Sequence, residues 1–387
     1  MSPGQKCDDG RCRRQDLLRI TLNQAVAVAM VDVPRAGLDL LAVLDDDESL
    51  ADNHRLAAVR GAPHDQPART TLPGRPGRPP GPGHPGGITM ESTKADALKV
   101  PGATLYYEVQ GSGPILLLIC GGIYDARTYA GLAQQLADRY TVLTYDRRGN
   151  SRSPLDGAPE QQSIAVHADD AYRLLTTVAG DEPAYVFGNS SGAIFGLELA
   201  ARHPAQVRAI VAHEPPIFEL LPDRDHWREV IKAAEDTFAK EGAGPAMQVF
   251  NAGFGGEQEE GGTQAEGGAQ AEDGATDQEP QADLDPETAA HLAEIGLAME
   301  KNMEFFIGYE VPPVARYIPD FTALQASPAR VVAAVGDASE GTPMSGATLA
   351  LAERLGTEPV VFPGDHGGFA VQPEAFAAKL HEVLARL

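Results

Sequence analysis

The sequence predicts an α/β fold, in which a mostly parallel sheet of eight strands is flanked by helices. From Met90 to the end of the chain, short apolar runs of strand length alternate with amphipathic helical patterns, as in sheets whose parallel strands are joined by helices. Glycine-rich turns follow several of these runs, at the strand ends where such sheets place their sites. The strand pattern is interrupted by a helical stretch after the sixth strand, which predicts an inserted helical cap.

The individual elements follow from the spacing of apolar residues. Apolar runs locate seven of the eight expected strands, at Leu105–Val109, Ile115–Ile119, Thr141–Tyr145, Ala184–Phe187, Val207–Ala212, Arg330–Val335 and Val360–Phe362. Counted in the eight-stranded sheet, Val207–Ala212 is the sixth strand and Arg330–Val335 the seventh. Helical spacing predicts helices at about Asp125–Asp138, Ile164–Val178, Ala347–Leu355 and Glu374–Leu387, and one that begins near Gly192. We expect the core to comprise residues 90–214 and 327–387, and the helical cap to comprise residues 215–326.

The 387 residues carry a formal net charge of −24, and much of it lies within the predicted cap. The stretch from Glu257 to Glu287 holds eleven acidic residues and no Lys or Arg. This low-complexity composition predicts a disordered acidic loop over residues 255–287. The overall charge argues against nucleic-acid and anionic-membrane partners. It leaves the oligomeric state open.

Residues 1–89 differ in composition from the rest of the chain. Residues 61–89 are rich in Pro, Gly and Arg, which predicts a disordered linker. Residues 1–60 contain apolar residues at helical spacing, and residues 21–61 resemble a C-terminal fragment of an extracytoplasmic-function sigma factor. The fragment includes none of the DNA-reading regions, so we expect a short helical remnant, with the working domain beginning at Met90.

Cysteine usage and hydropathy exclude several other classes of protein. The three cysteines, Cys7, Cys12 and Cys120, imply neither a disulfide framework nor a zinc site. No apolar run approaches the roughly 18 residues that a membrane-spanning helix needs, and no secretory signal is found. We therefore expect a cytoplasmic protein that uses no metal or cofactor and takes a small-molecule substrate.

The stretch VFGNSSGA, residues 186–193, fits the pattern G-x-S-x-G between a predicted strand and a predicted helix. Ser190 lies at the centre of the pattern. A serine in this position occupies a tight, strained turn, and side chains at the flanking Gly188 and Gly192 would clash with the neighbouring strand and helix. The pattern therefore predicts that Ser190 is a nucleophile, with Ser191 as the residue that follows it.

Three further stretches agree with this motif, each at the end of a predicted strand. They are ILLLICGG at 115–122, YDRRGNSRS at 145–153 and VFPGDHGGF at 361–369. Together with GNSSG they resemble the α/β-hydrolase superfamily over nearly all of residues 90–387. The resemblance implies that His366 is the general base of Ser190, and that the backbone N–H groups of Ser191 and Gly122 form the oxyanion hole. A thiol nucleophile at Cys120 is disfavoured, because no elbow surrounds it.

The acid that should orient His366 is missing from the position where most relatives carry it. Ser339 occupies that place, three residues past the glycine that ends the seventh strand. Glu214 ranks first among the replacements. It lies just after the sixth strand, as the catalytic glutamate does in some haloalkane dehalogenases, and it falls 24 residues beyond Ser190, a spacing similar to theirs. Asp337 ranks second and Glu340 third. A purely structural role for Glu214 stays open.

A serine nucleophile favours acyl transfer over the alkyl-enzyme chemistry of relatives that use an aspartate. We therefore expect hydrolysis of a carboxylic ester, thioester or lactone through an acyl-enzyme on Ser190. The apolar residues of the predicted cap favour a substrate with an apolar acyl or alcohol part. The alternatives are a cofactor-free haloperoxidase-like perhydrolase, a C–C bond hydrolase, or a non-catalytic binding protein of the same fold.

Overall fold

A computed structural model describes residues 93–254 and 297–387, and its centre is a sheet of eight strands. The strands are β1 (Lys94–Val100), β2 (Ala103–Gln110), β3 (Ile115–Ile119), β4 (Thr141–Tyr145), β5 (Ala184–Asn189), β6 (Val207–His213), β7 (Arg330–Gly336) and β8 (Val360–Phe362). Their order across the sheet is β1-β2-β4-β3-β5-β6-β7-β8. The pairs β1–β2 and β2–β4 are antiparallel, and the other pairs are parallel. The mostly parallel eight-stranded sheet predicted from the sequence is confirmed.

Helices cover both faces of this sheet, and others lie in the chain between β6 and β7. They are α1 (Ala130–Leu136), α2 (Ile164–Ala179), α3 (Ser191–Arg202), α4 (Arg224–Glu241), α5 (Ala243–Ala252), α6 (Val311–Ala315), α7 (Phe321–Ala326), α8 (Pro343–Leu355), α9 (Gly368–Val371) and α10 (Pro373–Leu384). Residues of α2 and α3 belong to the apolar cluster on one face, and residues of α1 and α10 belong to the cluster on the other. Because both faces are covered, every residue of β3 is buried.

The chain between β6 and β7, here called the β6–β7 segment, contains α4 to α7. A helix over residues 297–305 runs on through a π-helical turn, Phe306–Glu310, into α6. The segment has an apolar cluster of its own, in which Trp227 stacks on Phe218 with ring centroids 4.2 Å apart. π-Helical turns are rare in proteins overall, but many of those that occur lie at functional sites. This one lies close to the end of the sheet that carries Ser190, as described below.

The apolar runs do not predict β1, because five of its seven residues are exposed. It is an edge strand, and it is held by antiparallel pairing with β2 along its whole length. A strand of this kind has little apolar periodicity for a sequence pattern to detect. The predicted start of the next strand, Leu105, is two residues inside β2, because the pairing with β1 extends beyond the apolar run to Ala103.

Two helices begin at positions other than those predicted. The helix expected at Asp125–Asp138 is a 3₁₀ turn, Ala126–Tyr129, followed by α1, and the Asp125 carboxylate caps the turn by accepting from the Arg127 N–H at 3.0 Å. Helix α8 begins four residues before Ala347, because the Thr342 hydroxyl accepts from the Ser345 N–H and caps it there.

Several predictions from the sequence lie outside the described residues. These are the helical remnant at 1–60, including the stretch at 21–61, the linker at 61–89 and the acidic loop at 255–287. Among the helices of the described ranges, none has the length and apolar character needed to cross a membrane.

The turn between β5 and α3 requires both of its glycines. A Cβ atom on Gly192 would lie 2.1 Å from the carbonyl oxygen of Ile119, and a Cβ atom on Gly188 would lie 2.4 Å from the carbonyl oxygen of Gly192. Both obstacles are backbone atoms in a closely packed region, so a side chain could be accepted only by displacing β3 or α3.

We expect Gly192→Ala to lower the free energy of unfolding by about 3 kcal/mol or more, the upper range for overpacking a core. Gly157→Ala is the matched control, because a Cβ atom there meets no atom within 4 Å, and its effect should stay within about 1 kcal/mol. Urea unfolding followed by circular dichroism measures both. Equal stability of the two variants would contradict the close contact at Gly192.

Candidate active site

Ser190 occupies a sharp turn between β5 and α3. Its backbone has φ 56° and ψ −129°, a region that residues other than glycine rarely adopt. The turn is held on both sides, because the Ser190 N–H donates to the His213 carbonyl and the Ser190 carbonyl accepts from the Ala193 N–H, each at 2.9 Å. The strained conformation therefore places a partly exposed hydroxyl at the carboxyl end of the sheet and at the N-terminus of a helix.

His366 lies in the loop between β8 and α9, and its ring contacts Glu214. The distance from Nδ1 of His366 to Oε2 of Glu214 is 2.7 Å. The other carboxylate oxygen of Glu214 accepts from the Gly336 N–H at 2.8 Å. Glu214 is completely buried, and its backbone also has a positive φ of 48°. A buried carboxylate that is hydrogen-bonded at both oxygens can hold the imidazole with Nδ1 towards it and Nε2 free.

The surroundings of Glu214 keep its carboxyl group ionised. Burial alone would raise the pKa of Glu214, but the hydrogen bond with His366, the neighbouring ring of His213 and the hydroxyl of Ser339 bring it to about 2. Ser339 is itself buried. Ser339, which stands where most relatives carry the acid, thus favours the ionised form of Glu214. Glu214 contacts His366 from the end of another strand, β6.

The other two candidate acids do not approach the imidazole in this way. Asp337 is exposed, and its carboxylate accepts from the Gly364 N–H at 2.8 Å, which joins the ends of β7 and β8. Glu340 is also exposed. Within residues 93–254 and 297–387, Glu214 is the carboxylate hydrogen-bonded to His366. This contact supports the ranking that places Glu214 first, which stays a prediction about catalysis.

Asn189 and His213 fix the loop that carries His366, and the sequence motifs did not single out either residue. The side-chain N–H₂ of Asn189 donates to the backbone carbonyl of His366 at 3.1 Å and to Nδ1 of His213 at 3.0 Å. Burial lowers the pKa of His213 to about 4, so its ring is neutral near neutral pH. The two residues end β5 and β6, and this position was the only signal in the sequence that could have found them.

The predicted oxyanion donors are close together, but one of them already has a partner. A Cβ atom on Gly121 would lie 2.8 Å from Cβ of Ser190, so the loop after β3 passes directly against the elbow. The Gly122 N–H donates to the Ser191 hydroxyl at 3.0 Å. The Ser191 N–H is at the first position of α3, where helical N–H groups lack an intrahelical acceptor. An oxyanion bound here would compete with the Ser191 hydroxyl for the Gly122 N–H. The sequence did not predict the contact between Gly122 and Ser191.

The Ser190 hydroxyl and the His366 ring are not hydrogen-bonded to each other within the described ranges. Since Nδ1 of His366 is committed to Glu214, Nε2 is the ring nitrogen that can serve the serine. Catalytic hydrogen bonds are often long without substrate and shorten in the bound complex. In this arrangement Glu214 holds the imidazole in a defined orientation, and the hydrogen bond between His366 and Ser190 stays a prediction.

A cavity of about 60 Å³ opens next to the two serines. Apart from Ser190 and Ser191, its lining is apolar and consists of Pro216, Phe218, Phe250, Phe306, Val311, Val314, Ala315 and Met344. Most of these side chains belong to the β6–β7 segment, and Met344 belongs to α8. Ser190 and Ser191 therefore face a small apolar space that is covered mainly by the β6–β7 segment.

Other chemistries that the sequence raised find little support in this part of the molecule. Cys120 is buried, and burial raises the pKa of its thiol to about 12, so it is protonated near neutral pH. A thiol in this state is a poor nucleophile. In the described ranges, no group of three or more His, Cys, Asp or Glu side chains has the geometry to bind a metal ion.

Comparisons of the sequence with known proteins find hydrolases. A family model described as alpha/beta hydrolase fold matches residues 114–249. The chain is 37% identical over 295 residues to a Bacillus subtilis protein named uncharacterized hydrolase YraK, and the match covers 75% of this chain and 95% of that protein.

Two solved structures resemble this protein in fold at low sequence identity and support the fold alone. A thermophilic esterase from Thermogutta terrifontis matches with a TM-score of 0.55 at 17% identity, over 76% of this chain and 99% of that chain. A carboxylesterase from the ammonia-oxidizing thaumarchaeon Nitrososphaera gargenis matches with a TM-score of 0.53 at 20% identity, over 75% of this chain and 98% of that chain. With the serine elbow, the parallel sheet and the match to the Bacillus hydrolase, the chain belongs to the α/β-hydrolase family.

Proposed function

We propose that the protein is a serine hydrolase that cleaves a carboxylic ester, or a related thioester or lactone, through an acyl-enzyme on Ser190. The observation that carries the proposal is the buried contact between Glu214 and His366 beside the strained turn of Ser190. A nucleophile, a base and an acid that orients the base are the groups that acyl transfer to water requires. The esterase and carboxylesterase of similar fold use a comparable scaffold, which adds support by analogy.

In the first half of the reaction, the Ser190 oxygen attacks the carbonyl carbon while Nε2 of His366 takes the hydroxyl proton. The carbonyl oxygen becomes an oxyanion, and the N–H groups of Ser191 and Gly122 donate to it. Glu214 stabilises the imidazolium that forms. The oxyanion then collapses, the bond to the leaving group breaks, and His366 returns the proton to the departing alcohol, thiol or ring oxygen.

In the second half, a water molecule takes the place of the leaving group. His366 removes a proton from this water as it attacks the acyl carbon, and a second oxyanion forms in the same site. Its collapse releases the carboxylic acid and returns the proton to Ser190. Every proton that moves is carried by His366, so the tautomer that Glu214 selects matters in both halves.

The size and the lining of the cavity favour a substrate whose enclosed part is a short, apolar acyl group. Its volume of about 60 Å³ is small beside the roughly 300–1,000 Å³ that is typical of ligand pockets. The lining contains no charged side chain that could pair with an ionised acyl group. In this proposal the β6–β7 segment acts as a cap and limits the length of the acyl chain.

A fluorophosphonate probe should label the wild type, and Ser190→Ala should prevent labelling. Such probes react with an activated serine, so the result separates a hydrolase from a binding protein of the same fold. Ser191→Ala is the matched control and should still be labelled. A wild type that the probe leaves unmodified, as judged by intact mass, would favour the binding protein.

We expect Glu214→Gln to lower kcat for a p-nitrophenyl ester on the order of 10⁴-fold, as loss of the corresponding acid does in serine proteases. Glutamine can still accept from Gly336, but its amide N–H₂ would face Nδ1 of His366 and favour the wrong tautomer. Asp337→Asn is the control, because Asp337 is exposed and only joins two strand ends. The ranking of the acids is wrong if Asp337→Asn abolishes turnover and Glu214→Gln does not.

Enlarging the cavity should shift the preference towards longer acyl chains. In Met344→Ala, each additional methylene that becomes buried should raise kcat/KM about fourfold relative to the acetate ester, since burial of a methylene contributes about 0.8 kcal/mol. Leu349→Ala, an exposed position on the same helix, should leave the preference unchanged. A series of p-nitrophenyl esters from acetate to octanoate tests this. If kcat/KM depends on chain length in the same way in both variants, the cavity does not select the acyl group.

A further inference from the structure

Arg147 is a completely buried cation two residues past the end of β4, and its guanidinium uses all of its donors. Three hydrogen bonds go to backbone carbonyls, those of Cys120 at 2.7 Å, Tyr124 at 3.3 Å and Gly122 at 2.6 Å. The remaining two go to the Glu310 carboxylate, at 3.4 Å from Nε and 2.8 Å from a terminal nitrogen. A guanidinium has five N–H groups in a fixed plane, so this environment satisfies it fully.

The three carbonyls belong to residues 120–124, here called the oxyanion loop because it carries the Gly122 N–H. The carbonyls of Cys120 and Gly122 belong to the two peptide units on either side of the unit that contains this N–H. Their hydrogen bonds to Arg147 therefore fix the orientation of both neighbouring peptide planes. The direction of the Gly122 N–H depends on these planes, since the chain between them has few free dihedral angles.

Glu310 holds the guanidinium from the side of the β6–β7 segment. It ends the π-helical turn, and its side chain is completely buried. Nε2 of His167 lies 3.5 Å from the carboxylate, but burial and two neighbouring arginines lower the pKa of His167 well below its usual value. That ring is therefore neutral and forms no ion pair, so Arg147 is the charge that balances Glu310.

A second contact joins the same helix to the same loop. Asn302, also completely buried, donates to the carbonyl of Ile123 at 2.9 Å and to the hydroxyl of Ser151 at 2.8 Å, and it accepts from the Ser151 N–H at 2.7 Å. The helix thus holds the oxyanion loop at two points, directly through Asn302 and indirectly through Glu310 and Arg147. Phe306, between them, lines the cavity beside Ser190.

From these contacts we infer that Glu310 is a positioning residue for the oxyanion hole, which acts through Arg147 on the backbone of the oxyanion loop. The helix that walls the acyl pocket would then also set the direction of the Gly122 N–H. This inference rests on the proposed hydrolase function. It assigns to the β6–β7 segment a part in stabilising the transition state as well as a part in substrate selection.

The test compares Glu310→Gln with Asp170→Asn. Asp170 forms a second buried pair, with Arg148, at 2.7 and 2.8 Å, and the remaining contact of Arg148 is with the Pro101 carbonyl and not with the oxyanion loop. Each variant leaves one buried arginine unpaired, so both should lose stability. Active-site titration with a p-nitrophenyl ester counts the reactive molecules, and kcat and KM are expressed per titrated site.

We expect Glu310→Gln to lower kcat about 10²-fold, as misplacement by about 1 Å can do, while KM changes by less than about threefold. Binding of a trifluoromethyl ketone, whose adduct carries the oxyanion, should weaken by a similar factor, whereas binding of the matching methyl ketone should not. Asp170→Asn should keep kcat within about threefold of the wild type. A Glu310→Gln enzyme with the kcat of the wild type, or an equal loss of kcat in Asp170→Asn, would overturn the inference.

The double variant Arg147→Met with Glu310→Met serves if Glu310→Gln fails to fold, because it leaves no unpaired buried charge. We expect it to fold and to remain slow, since the loop carbonyls have lost their donors. Recovery of the kcat of the wild type would show that the pair has a purely structural role and would overturn the inference. If the wild type shows neither esterase activity nor probe labelling, the proposed function and this inference both fail. If the wild type is active, the proposed function stands whatever the Glu310 variants show.

Discussion

The buried carboxylate of Glu214 is the constraint on which the arrangement of the strand ends depends. A carboxylate without water must find donors for its oxygens, and here one donor is the Gly336 N–H at the end of β7 while the other is the ring of His366 after β8. Glu214 itself follows β6, whose last residue accepts from the Ser190 N–H after β5. One charge thus links four neighbouring strand ends, and Ser190, Glu214 and His366 all lie at them.

A second buried charge connects this edge of the sheet with the β6–β7 segment. Arg147 and Glu310 neutralise each other where the segment meets the loop after β3. The other N–H groups of the guanidinium donate to backbone carbonyls of that loop. A buried ion pair is weak evidence for stability, because removing both charges from water is costly. Its retention here is more readily understood through orientation, since a planar fork of donors can fix several carbonyls at once.

Much of the fold could be predicted from the sequence, because parallel strands buried on both faces read as continuous apolar runs. The edge strand β1 was not predicted, because five of its seven residues are exposed and form no apolar run. The motif GNSSG located the strained serine, because the clash that excludes side chains at Gly188 and Gly192 depends on local geometry. Contacts between residues far apart in the chain, such as Arg147 with Glu310 or the Ser191 hydroxyl with Gly122, leave no local pattern and required the structure.

The central claim is that Glu214 holds His366 in the tautomer whose Nε2 can take the proton of Ser190. Nitrogen NMR of histidine-labelled protein, with Nδ1 and Nε2 of His366 assigned by comparison with His366→Gln, measures this tautomer directly. The account predicts that neutral His366 in the wild type carries its proton on Nδ1 and that Nε2 is unprotonated. A neutral His366 protonated at Nε2 would contradict it.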